Sequence, residues 1–212
     1  MKFTKQGPVR FLSHLDLLRC VERALRRSQV PVAYTVGFHP RIRISFGPAL
    51  ALGHASVCEW MDVDMAEDVD PADVARRLTG ALPVGMEVRA ARLLPAGARA
   101  LQAAVQRACY RVVLEVSGSE PVDLPVRVAA FLARQEIPLQ KKNKVVNLRA
   151  FVDELRVTAP SPPSLEMTLR VGQEGSVRPE DVLAAMCEDP LEARVIERIA
   201  LLTLDDGVLE EP

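Results

Sequence analysis

An α+β fold of two βαββαβ halves, set in tandem by internal duplication, is what the sequence predicts, and three observations carry it. The first is a weak repeat at an offset of about 108 residues: Val69-Asp-Pro-Ala-Asp-Val-Ala-Arg-Arg-Leu78 aligns with Val177-Arg-Pro-Glu-Asp-Val-Leu-Ala-Ala-Met186, sharing V-x-P-x-D-V. The second is that Gln29-Val-Pro-Val32 aligns with Glu136-Ile-Pro-Leu139 at almost the same offset. The third is an element order that runs strand, helix, two or more strands, helix, strand in each half, the ferredoxin-like unit.

In the first half a strand lies within Met1–Phe11 and a helix spans 14–28. Strands follow at Pro31–Val36, Arg41–Phe46 and Val57–Met65, then a helix at Pro71–Leu82 and a strand at Glu87–Leu93. The helix at Pro71 has three start signals in a row: Asp70 at the N-cap, proline at the first helical position and Asp73 two residues on. The second half reads Tyr110–Val116 (strand), Val126–Gln135 (helix), Val145–Val157 and Leu165–Val171 (strands), Pro179–Met186 (helix) and Val195–Leu204 (strand). The expected domains are therefore 1–94 and 107–205, with residues 95–106 as linker and 206–212 as a frayed tail. Pro160-Ser-Pro-Pro163 reads as a turn between strands.

With 212 residues and 49% apolar content the chain has ample material for a core, chiefly Leu, Val and Ala because aromatics make up only 4%. No stretch approaches the roughly 20 apolar residues that span a bilayer, and Lys2, Lys5 and Arg10 interrupt any signal-peptide core, so no membrane association and a cytoplasmic location are expected. Cys20, Cys58, Cys109 and Cys187 form no C-x-x-C pair, so they read as free, mostly buried thiols, with no metal and no cofactor expected.

A net charge of −1 conceals a polarised chain. Residues 1–50 hold nine Lys and Arg against two acids, a surplus of seven, whereas residues 51–212 hold 18 basic and 26 acidic side chains, a deficit of eight. A basic end beside an acidic remainder points to an anionic partner for one end only.

Ser13 and Asp16, three apart before an apolar-periodic run, have capping-box spacing, which reads Asp16 as structural. His14 then occupies the first helical position, exposed, with no partner carboxylate apparent. Leu15, Leu18, Val21 and Leu25 mark the expected buried face of the helix, and Arg19, Arg23, Arg26 and Arg27 cluster on another, with only Glu22 among them. Further on, Gly37 allows a tight turn and Pro40 holds His39 extended. Strand alternation places Ile42, Ile44 and Phe46 on one side and Arg41, Arg43 and Ser45 on the other, which exposes two guanidiniums suited to phosphate. Phe38 or Tyr34 would suit a stacking platform, although aromatics beside a strand more often enter the core, the reading preferred here. Lys141, Lys142, Lys144 and Arg149 form a second basic segment, read as a strand-connecting loop and the strand after it. Both halves would then present cations at comparable places along a path for an RNA backbone.

The strings R-F-L-S-H-L-D-L, E-R-A-L-R-R, P-V-A-Y, G-F-H-P-R-I-R-I-S-F, A-L-A-L-G and K-K-N-K-V-V-N-L-R resemble the uncharacterised radical-SAM-linked protein family, whose domain occurs alone beside, or fused to, radical-SAM proteins. The resemblance implies a radical-SAM protein as partner and a companion role for this chain, which lacks the C-x-x-x-C-x-x-C triad of a radical-SAM enzyme. The tandem architecture is also similar to that of RNA-processing proteins of CRISPR systems, a likeness of fold alone. The leading expectation is an accessory protein that binds RNA or a ribonucleoprotein. A metal-independent ribonuclease using His14 or His39, and a pure protein-interaction adaptor, are the alternatives.

Overall fold

The computed structural model describes every residue except 96, 116–122, 142–143, 173–174, 187–190 and 206–207, and of residue 205 the backbone only. The chain divides into two compact units, Met1–Val105 and Gln106–Glu211. Both mix helices with antiparallel strand pairs, an α+β architecture.

The first unit contains β1 (Lys2–Lys5), a 3-10 turn (Gly7–Phe11), α1 (His14–Ser28), β2 (Ile44–Phe46), β3 (Ala55–Val63), α2 (Pro71–Ala81), β4 (Val88–Ala90) and the short α3 (Leu101–Ala104). Its strands lie in the order β4-β1-β3-β2. Every pairing is antiparallel, with Phe3 opposite both Glu59 and Val88, and Phe46 opposite Met61. Leu17, Val21, Ala24 and Leu25 of α1 recur at helical spacing and join Phe3, Phe46, Met61, Val74, Leu78 and Val88 in one core. The Phe3 and Phe46 rings meet edge to face at 6.1 Å. Each fully buried side chain of this kind contributes about 1.5–3 kcal/mol relative to exposure.

Several polar groups fix how the core elements join. Asp70 caps α2 by accepting from the Ala72 N–H at 3.1 Å, as the start signals predict. The buried Lys5 ammonium donates to the carbonyls of Arg10 (3.2 Å) and Leu12 (3.0 Å), pinning the turn that leads into α1. Gly85, at φ +96°, accepts from the Gln6 N–H at 2.9 Å; a Cβ there would sit 2.3 Å from the Gln6 carbonyl oxygen, so no larger residue fits without moving backbone. The two helices also clasp each other: Arg77 of α2 donates to the carbonyls of Ser28 and Gln29, and Arg27 of α1 donates to that of Ala81.

The second unit contains β5 (Val105–Leu114), α4 (Leu124–Ala133), β6 (Pro138–Lys141), β7 (Lys144–Asn147), a 3-10 turn (Leu148–Phe151), β8 (Val152–Pro160), β9 (Pro163–Arg170), α5 (Pro179–Met186), β10 (Ala193–Asp205) and β11 (Val208–Glu210). Its main strands lie in the order β10-β5-β9-β8, and β6-β7 forms a separate two-stranded sheet. Met167 on β9 faces Tyr110 on β5 and Leu155 on β8, and all three are buried.

The helices over 14–28, 71–82 and 179–186 match α1, α2 and α5 closely, and Pro71 and Pro179 open the second helix of their units. Other expectations are corrected. Pro31–Val36 forms no strand, only the isolated bridges Val32↔Met65 and Tyr34↔Ile42, and the strand at Arg41–Phe46 shortens to Ile44–Phe46. The single strand expected over Val145–Val157 is broken by the turn at 148–151, and β6 was not foreseen. The segment expected as linker holds α3, whose Leu101 is buried, and the start of β5. The tail at 206–212 is not wholly frayed, since Val208–Glu210 pairs antiparallel with Thr203–Asp205.

Candidate nucleic-acid interface

Helix α1 begins where the capping box requires. The Ser13 hydroxyl accepts from the Asp16 N–H at 3.2 Å and donates to the Asp16 carboxylate at 2.6 Å, so that carboxylate closes on the hydroxyl rather than on the N-cap backbone. This hydrogen bond lowers the Asp16 pKa; desolvation opposes it, and the Arg19 charge adds a smaller lowering. Asp16 is thereby committed to the helix start and to Arg19, whose guanidinium lies 3.3 Å away. His14 is exposed, its ring edge-on to Phe46 at 5.8 Å. Among the described residues it has no carboxylate or hydroxyl in hydrogen-bond reach, so no proton-transfer pair is assembled there.

Along α1 the four arginines are exposed, but they differ in what holds them. Arg19 pairs with Asp16, and Arg26 with Glu22 at 3.8 Å. Arg27 serves the α2 carbonyl, and Arg23 has no ion pair or hydrogen bond among the described residues. Leu15, expected in the core, is 62% exposed; Leu17 and Ala24 take the buried positions instead, because the sheet lies on the Leu17–Val21–Ala24–Leu25 side of the helix. Cys20, half-buried on the same helix, has its thiol pKa raised by burial, with Arg27 and Arg23 opposing, so it stays a protonated thiol.

The segment 31–46 is a hairpin-like excursion. The Thr35 N–H donates to the Arg41 carbonyl at 2.8 Å, and the Arg41 N–H donates to the Thr35 hydroxyl at 3.0 Å, which closes a loop over Val36–Pro40. Gly37 takes φ +136° in that loop. Below it, Arg43 donates to the Ala33 carbonyl and accepts from the Asp64 N–H, tying the excursion to the end of β3. Side chains alternate as the pattern requires: Ile42 is buried, Ile44 half-buried and Phe46 buried, while Arg41, Arg43 and Ser45 are exposed. Arg43 pairs with Asp64 at 2.8 Å; the Arg41 guanidinium is unengaged among the described residues, as is the exposed His39 ring. The core reading of the aromatics is corrected, for Phe38 is 102% and Tyr34 46% exposed.

The second basic segment is a hairpin rather than a loop, with Lys141 ending β6 and Lys144 opening β7; Lys142 lies outside the described residues, as does Cys187. Lys144 is exposed and unpaired among the described residues, but Lys141 is bound to Asp181 at 2.8 Å. Arg149 sits in the 3-10 turn, not on a strand, and donates to the carbonyls of Val152 (2.6 Å) and Leu132 (3.5 Å). Those two cations hold local structure. Exposed ion pairs such as Arg19–Asp16 and Arg43–Asp64 are worth about 0–1 kcal/mol, so a phosphate can compete for their guanidiniums at little cost.

Composition alone did not single out Lys5, Phe11 or Asp64. The Arg10 guanidinium stacks over the exposed Phe11 ring at 4.7 Å, and Asp64 is the acid that partners Arg43. Asp64 also borders a cavity of about 210 Å3 in the first unit, lined by Asp62, Val63, Met65, Val69 and Val74 among others; burial raises the pKa of Asp62. Among the described residues no three His, Cys, Asp or Glu side chains converge as a metal site, and no helix is long and apolar enough to cross a membrane.

No curated protein matches the chain. The family model that does match covers residues 1–179, and so takes in both basic segments and most of each unit. The chain thus belongs to the family described as an uncharacterized protein conserved in bacteria, DUF2344.

Proposed function

We propose that the protein is an accessory protein that binds RNA or a ribonucleoprotein, chiefly through α1 and the 31–46 hairpin, with Lys144 and its neighbour Lys142 as a second contact. The observation that carries this reading is the alternation at 41–46: an apolar row packed inward leaves Arg41 and Arg43 on the outside. The local sequence favours an anion, since no Asp or Glu occurs between Glu22 and Glu59, a stretch that holds Arg23, Arg26, Arg27, Arg41 and Arg43, although Arg26 and Arg43 each have an exposed ion pair, with Glu22 and Asp64. Arginine in such a setting offers planar, bidentate donors to phosphate. By its sequence resemblance the chain is a companion to a radical-SAM protein in the cytoplasm, presenting the RNA rather than altering it.

The proposed ancestry is a duplicated ferredoxin-like unit. The supporting observations are the matching strand orders, β4-β1-β3-β2 and β10-β5-β9-β8, and the equivalent helix starts at Pro71 and Pro179.

The test is a salt titration of RNA binding by the wild type and by an Arg41→Ala, Arg43→Ala double variant. Counterion release makes the wild-type affinity fall steeply with salt, and each lost phosphate contact lowers the magnitude of the log–log slope by about 1. An unchanged slope in the double variant places the contacts elsewhere. No binding by a folded wild type at low salt, with its protein partner present, rejects the RNA role in favour of a protein adaptor.

A further inference from the structure

We propose that the loop over Val36–Pro40 is a base-stacking site for single-stranded RNA, with Phe38 as the stacking surface and Arg41 as its phosphate contact. This rests on the RNA-binding reading and specifies its mode. Phe38 is 102% exposed and Val36 105%, and Tyr34 at the foot of the loop is half-exposed. Three apolar side chains within five residues remain in water although the core of the same unit is packed with residues of the same kind. A Phe ring left wholly in water forgoes the favourable free energy of burial, which a partner can recover.

The loop is built rather than slack. Reciprocal hydrogen bonds between Thr35 and Arg41 (2.8 and 3.0 Å) close its base, and the Tyr34↔Ile42 bridge extends the pairing by one residue on each side. Buried Ile42 anchors that base in the core. Gly37 at φ +136° supplies a conformation that other residues rarely adopt, and Pro40 restricts the return. A loop whose base is closed this way has less backbone freedom to lose on binding.

The occupant follows from what surrounds the ring. A purely apolar partner would leave the polar neighbours of the ring unanswered: the Arg41 guanidinium is unengaged among the described residues, His39 is exposed beside Phe38, and the sequence has no carboxylate from residue 23 to residue 58. A planar apolar face combined with positive charge matches an unpaired base on a phosphate backbone, since every base has a π-face. A duplex hides those faces inside its stack, so the site selects single strands.

The experiment uses the 212-residue chain and a single-stranded oligoribonucleotide carrying 2-aminopurine, with the same strand annealed to its complement as control. Expected are a change in 2-aminopurine emission on binding, preference for the single strand, and a loss of affinity of roughly 5- to 150-fold for Phe38→Ala, the range for one stacked base. The salt slope of Phe38→Ala should equal that of the wild type because no charge is removed, whereas Arg41→Ala should flatten it. Phe38→Trp should retain binding and Phe38→Leu should not. Phe38 is exposed, so an unchanged unfolding midpoint is expected for all of its variants. Equal binding of duplex and single strand, an unaltered affinity for Phe38→Ala, or full rescue by Leu would overturn the stacking site and leave the RNA reading standing. Absence of any RNA binding by the wild type at low salt would overturn both.

Discussion

Ser13 and Asp16 illustrate how much a single pair of side chains can reveal. Their spacing alone locates the start of α1, because the N-cap hydroxyl accepts from an N–H that the first turn leaves unpaired and the carboxylate three residues on holds that hydroxyl in place. The same pair sets a pH dependence. The Asp16 pKa lies below its ordinary value of 3.8 in the folded chain, first through the Ser13 hydrogen bond and then through Arg19. A carboxylate so lowered contributes stability that is fully present above its unfolded pKa and is lost as pH falls through the folded one. Titration of the Asp16 carboxyl by NMR should therefore give a midpoint below 3.8 in the wild type, and Ser13→Ala should move it upward. A midpoint that ignores Ser13→Ala would mean that the hydroxyl does not hold the carboxylate in solution. Leu15 shows the opposite case: Leu15-Leu18 and Leu17-Val21 both follow helical spacing, and only the position of the sheet decides which stripe is buried.

At the scale of elements, legibility followed the density of local signals. Asp70-Pro71 gives the start of α2 to the residue, because cap, proline and acid all act within one turn. Strand β6 was missed because none of its four side chains is fully buried, and because the cations at 141–144 mimic a loop; β7 was read only as the start of a longer strand. The 31–46 excursion was half legible. Its alternation is correct from Ile42 onward, but whether residues 31–36 form a continuous ladder depends on long-range bonds to Asp64 and Met65. That alternation makes a quantitative prediction. Ile42→Ala should destabilise by about 2–5 kcal/mol, since Ile42 is 4% exposed and belongs to the core. Ile44→Ala should cost about 1 kcal/mol, because Ile44 is already half in water. Chemical denaturation of both variants checks the order, and equal losses would show that the strand packs differently.

For the whole molecule, the informative quantity is the distribution of charge, not its total. A net charge of −1 predicts no affinity for a polyanion, yet residues 1–50 carry a surplus of seven positive charges. The candidate cations were legible as residue types, and the division of labour among them was not. Arg27, Lys141 and Arg149 are engaged with carbonyls or a carboxylate of the fold, leaving Arg23, Arg41 and Lys144 unengaged among the described residues. No local pattern separates these classes, because the partners lie 3 to 54 positions away. Screening decides whether the basic end acts alone. With a Debye length of about 8 Å at physiological salt, each exposed arginine of the first unit feels chiefly the charges close to it. The chain should therefore be retained on immobilised heparin at pH 8 and low salt, even though it is net negative there, and should elute as salt rises. An Arg23→Ala, Arg41→Ala variant should elute at distinctly lower salt, whereas Arg149→Ala, which removes a cation already bound to carbonyls, should elute with the wild type. Passage of the wild type straight through the column would mean that the acidic remainder governs its field, and the electrostatic ground for an anionic partner would be gone.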